Sequence, residues 1–175
     1  MSWEKFEIGN VKPSSKNADF FKFTTGEHLI RIASNIQFEK IHWIEKMPFE
    51  CTGDKNCKYC RTGDKPKNQY KFIVINRADD LAETMTCGQQ FAEAIEEIAI
   101  SINKDTKGEY SLFDFDIKAK KSGTGMDTKY SASVPIGAKP IKFTSEEIEM
   151  INNLKSIKTE EKEDKKLYDE FDGVE

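Results

Sequence analysis

Between two segments that read as β-strands, residues 45–69 hold three cysteines, two glycines, two prolines and many lysines, with no helical or strand periodicity. An irregular loop of that length inside a compact domain needs something besides packing to order it. Cys51, Cys57 and Cys60 supply a means, spaced C-x5-C-x2-C. The close pair forms a knuckle presenting two thiolates to one ion, and zinc takes four tetrahedral ligands, mostly sulfur or imidazole. Three residues offer the fourth. His42 lies on the strand entering the loop and gives H-x8-C-x5-C-x2-C; His28 begins an earlier strand; Cys87 precedes a helix beyond the next strand and reads better as a small buried residue. A Cys3His site around His42, Cys51, Cys57 and Cys60 would give the loop the folding energy it lacks. Four protein ligands leave no open coordination position, so one zinc here is expected to be structural. A redox C-x2-C pair lacks its βαβ surroundings, and unligated thiols would leave the clustering unexplained.

No apolar run reaches the roughly 18 residues that would span a bilayer. The start, Met-Ser-Trp-Glu-Lys-Phe-Glu, lacks the charged-then-apolar order of a signal peptide. The expected compartment is a reducing cytoplasm, where structural disulfides are rare, with no membrane partner.

Around the loop the pattern is mainly β. His28–Ser34 and Ile36–Ile44 read as one long, bent strand, and Tyr70–Arg77 is strongly apolar at its centre. Leu81–Thr86 reads as a short strand. Phe91, Ile95, Ile98 and Ile102 then recur at helical spacing in Gln89–Ile102, a stripe that belongs to the core. Phe113–Lys120 alternates apolar with charged residues, Ser122-Gly-Thr-Gly125 turns, and Lys129–Val134 returns. Thr144-Ser-Glu-Glu147 resembles a capping box that opens a helix running to about Ile157. Five strands with a helix between the third and fourth is the order of the OB-fold. The expected organisation is an N-terminal arm (1–25), a five-stranded OB-fold barrel (26–140) with a zinc subdomain inserted at about 42–69, a C-terminal helix (141–158) and a disordered acidic tail (159–175).

The formal net charge of −4 is uneven: residues 40–77 carry nine basic and four acidic residues, while residues 141–175 carry six and eleven. A near-neutral body with basic stretches and an acidic end is the better description.

The His42, Cys51, Cys57 and Cys60 set, placed between Ile30-Arg31-Ile32 and the apolar Tyr70–Arg77, resembles the single-stranded-DNA-binding proteins of tailed bacteriophages, a family that includes the T-even phage helix-destabilising protein. Phe115-Asp-Ile-Lys118 followed by Ser122-Gly-Thr-Gly-Met-Asp-Thr-Lys-Tyr130 is similar to small phage relatives. The resemblance covers roughly residues 26–135. It implies an OB-fold, an embedded Cys3His zinc subdomain, a basic cleft for single-stranded DNA, and an acidic C-terminus that contacts replication or recombination proteins. The ligand spacing is shorter than in the T-even protein, and residues 1–25 lack its very basic N-terminal segment.

Holding single strands without sequence preference requires cations along the phosphates and rings for bases to stack on. Trp43, Tyr59, Tyr70 and Phe72 are the candidate rings. Arg31, Lys58, Arg61, Lys65, Lys67, Lys71, Lys118, Lys120 and Lys129 are the candidate cations. Against this stand the plainer readings, that the rings are core and the lysines merely solvate loops. The implied function is non-sequence-specific strand binding in DNA replication, recombination and repair, in the bacterial host cytoplasm if the chain is phage-encoded. No G-x-S-x-G, phosphate-binding glycine loop or H-E-x-x-H is present, so no enzyme is expected. The alternative is a zinc-ribbon protein–protein adaptor of the replication or transcription machinery. In the acidic tail, Tyr168, Phe171 and Val174 sit among carboxylates and suit a partner's basic, hydrophobic pocket.

Overall fold

A computed structural model describes residues 20–53 and 55–155. The expected acidic tail, the end of the C-terminal helix and the first nineteen residues of the arm lie outside these described residues. In chain order the elements are β1 (Gly26–Ile32), β2 (Gln37–Ile44), β3 (Met47–Glu50), α1 (Lys58–Arg61), β4 (Lys67–Asn76), β5 (Leu81–Cys87), α2 (Gln89–Asp105), β6 (Asp116–Ser122) and β7 (Lys129–Ser133). Residues 145–155 are also helical.

The strands form one antiparallel sheet in the order β3-β2-β4-β1-β6-β7, with β5 along the other edge of β4. β1 and β2 are the expected long bent strand: β1 pairs with the end of β4 (Ile32 opposite Val74) and β2 with its start (Gln37 opposite Lys71). The bend lies between them, where the Ala33 N–H donates to the Ile73 carbonyl and the Ile73 N–H donates to Ser34 Oγ. The sheet is not closed. No ladder joins β5 to β7 among the described residues, and α2 packs against β7 instead. The expected closed barrel is therefore replaced by an open, mostly antiparallel sheet with a few helices.

Period-two alternation sorts the side chains onto two faces. Ile30, Ile32, Phe72, Val74, Met85, Ile117 and Ala119 point to the inner face, where Phe91, Ile95 and Ile102 of α2 cover them. On the outer face Ile73 and Ile75 pack with Ala33 beneath Ile151 and Leu154 of the C-terminal helix. The capping box is formed: the Thr144 N–H donates to Glu147 Oε2 at 2.8 Å and the Glu147 N–H to Thr144 Oγ1 at 3.2 Å.

Three expectations are corrected here. Residues 20–24 are not a loose arm, since Phe21 is buried in the inner core and Phe23 packs against Phe91. Arg31 lies on the face opposite Ile30 and Ile32, as alternation requires, but it is only 1% exposed and cannot meet a ligand. The chain before β6 and the C-terminal segment cover it: Nε donates to the Phe113 carbonyl at 2.9 Å, Nη2 donates to the Ile141 carbonyl, and the guanidinium lies 3.7 Å from the Phe143 ring centroid. Phe72, also 1% exposed, is core and has no free face for a base.

Candidate metal centre and nucleic-acid interface

β2 and β3 form a hairpin whose turn, Glu45-Lys46, takes positive φ at both positions (51° and 68°). The hairpin carries His42 opposite Phe49 and delivers the chain to Cys51, whose N–H donates to the Lys40 carbonyl at 2.8 Å. Cys57 caps the single turn of α1, and Cys60 lies within it. Residues three apart on a helical turn share a side, so both thiols face His42. One ligand atom from each of His42, Cys51, Cys57 and Cys60 falls within 4.8 Å of all the others, and the four could bind one metal ion. Cys51 and Cys60 Sγ are 3.5 Å apart, and His42 Nε2 is 3.3 Å from Cys57 Sγ and 3.4 Å from Cys60 Sγ.

Of the three candidates for a fourth ligand, His42 is the one that lies in the cluster. His28 instead donates to the Thr24 carbonyl and stacks edge-on with Phe21 and Phe23. Cys87 ends β5 opposite Tyr70, and burial pushes its thiol up to about 12.

Electrostatics at the cluster favour a cation. Main-chain N–H groups of Cys60, Tyr59 and Thr52 bring the Cys57 thiol down to about 6, whereas burial and the neighbouring thiols push Cys60 up to about 12. One thiolate forms readily, and a positive ion at the centre would let three coexist. His42 is fully buried, and its Nδ1–H donates to Asp64 Oδ2 at 2.5 Å, which raises the imidazole above its ordinary range. That bond leaves Nε2 as the nitrogen free to ligate an ion and fixes the ring's orientation. No spacing in the sequence marks Asp64, because only the fold of the loop brings it back to His42. Asp64→Ala is expected to weaken metal binding about 10–100-fold, as loss of such a supporting carboxylate does. Competition against a chromogenic chelator measures it, and an unchanged affinity would leave Asp64 no orienting role.

The remaining candidates divide by strand register. Trp43, Lys67 and Lys71 share the outer face of the β2–β4 ladder. Lys118 and Lys120 belong to the same face through Leu29 and Arg31, and Lys129 continues it on β7. Trp43 is 49% exposed and, at that exposure, is no core residue. Glu27 lies 3.5 Å from Lys118 and 4.0 Å from Lys120, but exposed pairs of this kind are weak enough to yield to a phosphate. The turn that joins β6 to β7 depends on Gly123: its φ is +77°, and a Cβ there would clash with the Asp127 carbonyl oxygen.

Tyr70 is half-buried on the inner face, 5.4 Å from Phe38 between ring centroids. Phe38 is 52% exposed and has no distinguishing signal in the sequence; its place beside Tyr70 follows only from the β2–β4 register. Tyr59 packs on Phe49 and His42, with Lys58 Nζ 4.8 Å from its ring centroid, so it also walls the Cys3His cluster. Lys58, Arg61 and Lys65 are exposed around it.

No family model matches the chain, and no solved structure matches it. The chain is similar to a protein of Escherichia phage T5 described as a probable ssDNA-binding protein, with 27% identity over 146 residues. The match covers 67% of this chain and 55% of the phage T5 protein, so the chain spans about half the length of that relative. Among the described residues no helix is long and apolar enough to cross a membrane.

Proposed function

We propose that this chain is a non-enzymatic single-stranded-DNA-binding protein in which a structural zinc ion organises the module at residues 42–66. The observation that carries the reading is the outer sheet face, which on either side of the segment covering Arg31, Ile73 and Ile75 presents exposed Trp43 with Lys67 and Lys71, and Lys118, Lys120 and Lys129. A ring platform edged by cations suits a strand whose bases stack and whose phosphates attract ammonium groups. The description of the phage T5 protein supports the same class. A closer kinship with the T-even protein is part of the proposal and rests on the inserted Cys3His cluster.

Zinc is favoured by ligand chemistry and size. With Zn–S near 2.3 Å and Zn–N near 2.0–2.1 Å, tetrahedral neighbours lie ~3.8 Å apart for two sulfurs and ~3.5 Å for sulfur and nitrogen. The separations of 3.5 Å and of 3.3–3.4 Å are close to these. An OB-type ancestry is supported by the order of β1–β2 as one bent strand, β4, β5, α2, β6 and β7, and by the pairing of β1 with both β4 and β6.

Titration with labelled single- and double-stranded oligonucleotides at several salt concentrations tests the reading. Single strands are expected to bind preferentially, with affinity falling steeply as salt rises. An adaptor would show negligible affinity for either form at any salt.

Roles in replication, recombination and repair, in the host cytoplasm, complete the proposal, with residues 159–175 as the segment that reaches partner proteins. The acidic tail would also compete for the protein's own cations when screening is weak. Truncation after Ile157 is therefore expected to tighten strand binding at low salt, by a margin that shrinks as salt rises, and to abolish partner capture. Identical binding by both forms would reduce the tail to a solubilising extension.

A further inference from the structure

A groove of about 240 Å³ opens where β4 outruns β5, lined in part by Trp43, Lys67, Asn68, Gln69, Gly88 and Tyr130. Tyr70, opposite Cys87, is the last β4 residue paired to β5, whereas Lys67, Asn68 and Gln69 pair with β2 alone. The β5-side edge of this three-residue stretch carries no ladder among the described residues, so its main-chain donors and acceptors are open to a ligand.

Three kinds of chemistry meet there. Trp43 is 49% exposed and Tyr130 half-buried, which supplies ring surface. Gln69, on the same sheet face as Trp43 and Lys67, offers a carboxamide with donors and an acceptor, and Lys67 offers a cation. A simple apolar ligand would leave the amide unused, and an added peptide strand would need a longer free edge. The volume is below the ~300–1,000 Å³ of sites for drug-sized ligands, which suits one flat ring system.

Resting on the strand-binding reading above, we infer that this groove receives a single unstacked nucleobase of the bound DNA. Trp43 stacks on its face, Gln69 meets its hydrogen-bonding edge, and Lys67 holds the adjoining phosphate. The carboxamide can present oxygen or NH2, so every base is accepted and the bias between bases is small. The slot makes binding depend on the bases as well as on the phosphates.

Gly88 provides a way to block the groove without touching a charge. It caps α2 with φ −83° and ψ 177°, an ordinary extended conformation, and a Cβ there would meet nothing within 4 Å. The test uses the full chain with labelled oligo-dT and an abasic oligomer with the same number of phosphates. Wild type is expected to prefer oligo-dT. Gly88→Leu and Trp43→Ala should each weaken oligo-dT binding about ten-fold, the scale of one lost stacking contact, and leave abasic binding unchanged. Gly88→Ser, a good helix cap with a small side chain, should behave as wild type. Circular dichroism checks that each variant is folded. Should folded Gly88→Leu and Trp43→Ala bind oligo-dT as wild type does, the slot is overturned while strand binding stands. Equal wild-type affinity for both oligomers overturns the slot in the same way. Wild type that binds neither oligomer overturns the strand-binding reading and the slot with it.

Discussion

Chelating the metal, or replacing Cys57 with Ser, is expected to unfold the module at residues 42–66 and leave most of the sheet intact. The module has few means of holding itself together. Its helix α1 is four residues long and has no buried residue apart from its cap Cys57, and among the described residues β3 pairs with β2 only. Structural zinc sites contribute on the order of 10–16 kcal/mol at neutral pH, far more than so small a hairpin could replace by packing. The inner core of Phe72, Val74, Met85, Phe91 and Ile117 makes no use of the cluster and should persist. Hydrogen exchange is therefore expected to show lost protection at residues 42–66 and retained protection in β4, β5 and α2. Elemental analysis should give one zinc per chain before chelation. Absence of stoichiometric metal, or protection indifferent to chelator, would remove the metal from the account.

Glu147→Ala should cost about 3–5 kcal/mol of stability, the usual consequence of stranding buried cations. Glu147 Oε1 accepts from Arg77 Nη1 at 2.5 Å, and its Oε2 lies 4.0 Å from Arg31 Nη1. Among the described residues Arg31 Nη1 has no hydrogen-bond partner of its own, so the Glu147 charge is the nearest compensation for a guanidinium buried at 1% exposure. The same side chain closes the capping box at Thr144, so the substitution also frays the helix that covers Ile73 and Ile75. Arg77 retains Asp116 at 2.9 Å and Asp80 at 3.1 Å, and the loss therefore falls chiefly on Arg31. Glu147→Gln keeps the cap's geometry without the charge and should cost less. Urea unfolding midpoints measure both, and a wild-type midpoint for Glu147→Ala would show that the C-terminal helix does not latch the sheet.

The zinc-ligand candidates are legible in the amino-acid sequence because three of them lie within ten residues and the fourth on the strand that enters the loop. Local spacing alone can bring such groups around one ion. The stripe of α2 is equally legible: Phe91, Ile95 and Ile102 are buried and Ile98 packs beside them, as a period of 3.6 requires. β3 is hidden for a local reason. Its hairpin turns on Glu45-Lys46, which adopts positive φ without the Asn-Gly or Asp-Gly pair that usually announces such a turn. Pro48 also argues against a strand, and it is tolerated because β3 is an edge strand.

Alternation along β1, β4 and β6 determined, from sequence alone, which side chains share a face. It could not determine which face is covered, because cover comes from segments distant in the chain. Arg31 has the pattern of a phosphate ligand, yet the Ile141 carbonyl, Phe143 and Glu147, more than a hundred residues away, close over it. Phe38 meets Tyr70, and Asp64 meets His42, only through tertiary register. The open seam between β5 and β7 belongs to the same class, since α2 rather than a strand packs against β7. Local spacing and period follow from backbone geometry, which every residue carries with it; burial and strand pairing depend on long-range contacts that no short window of the chain contains.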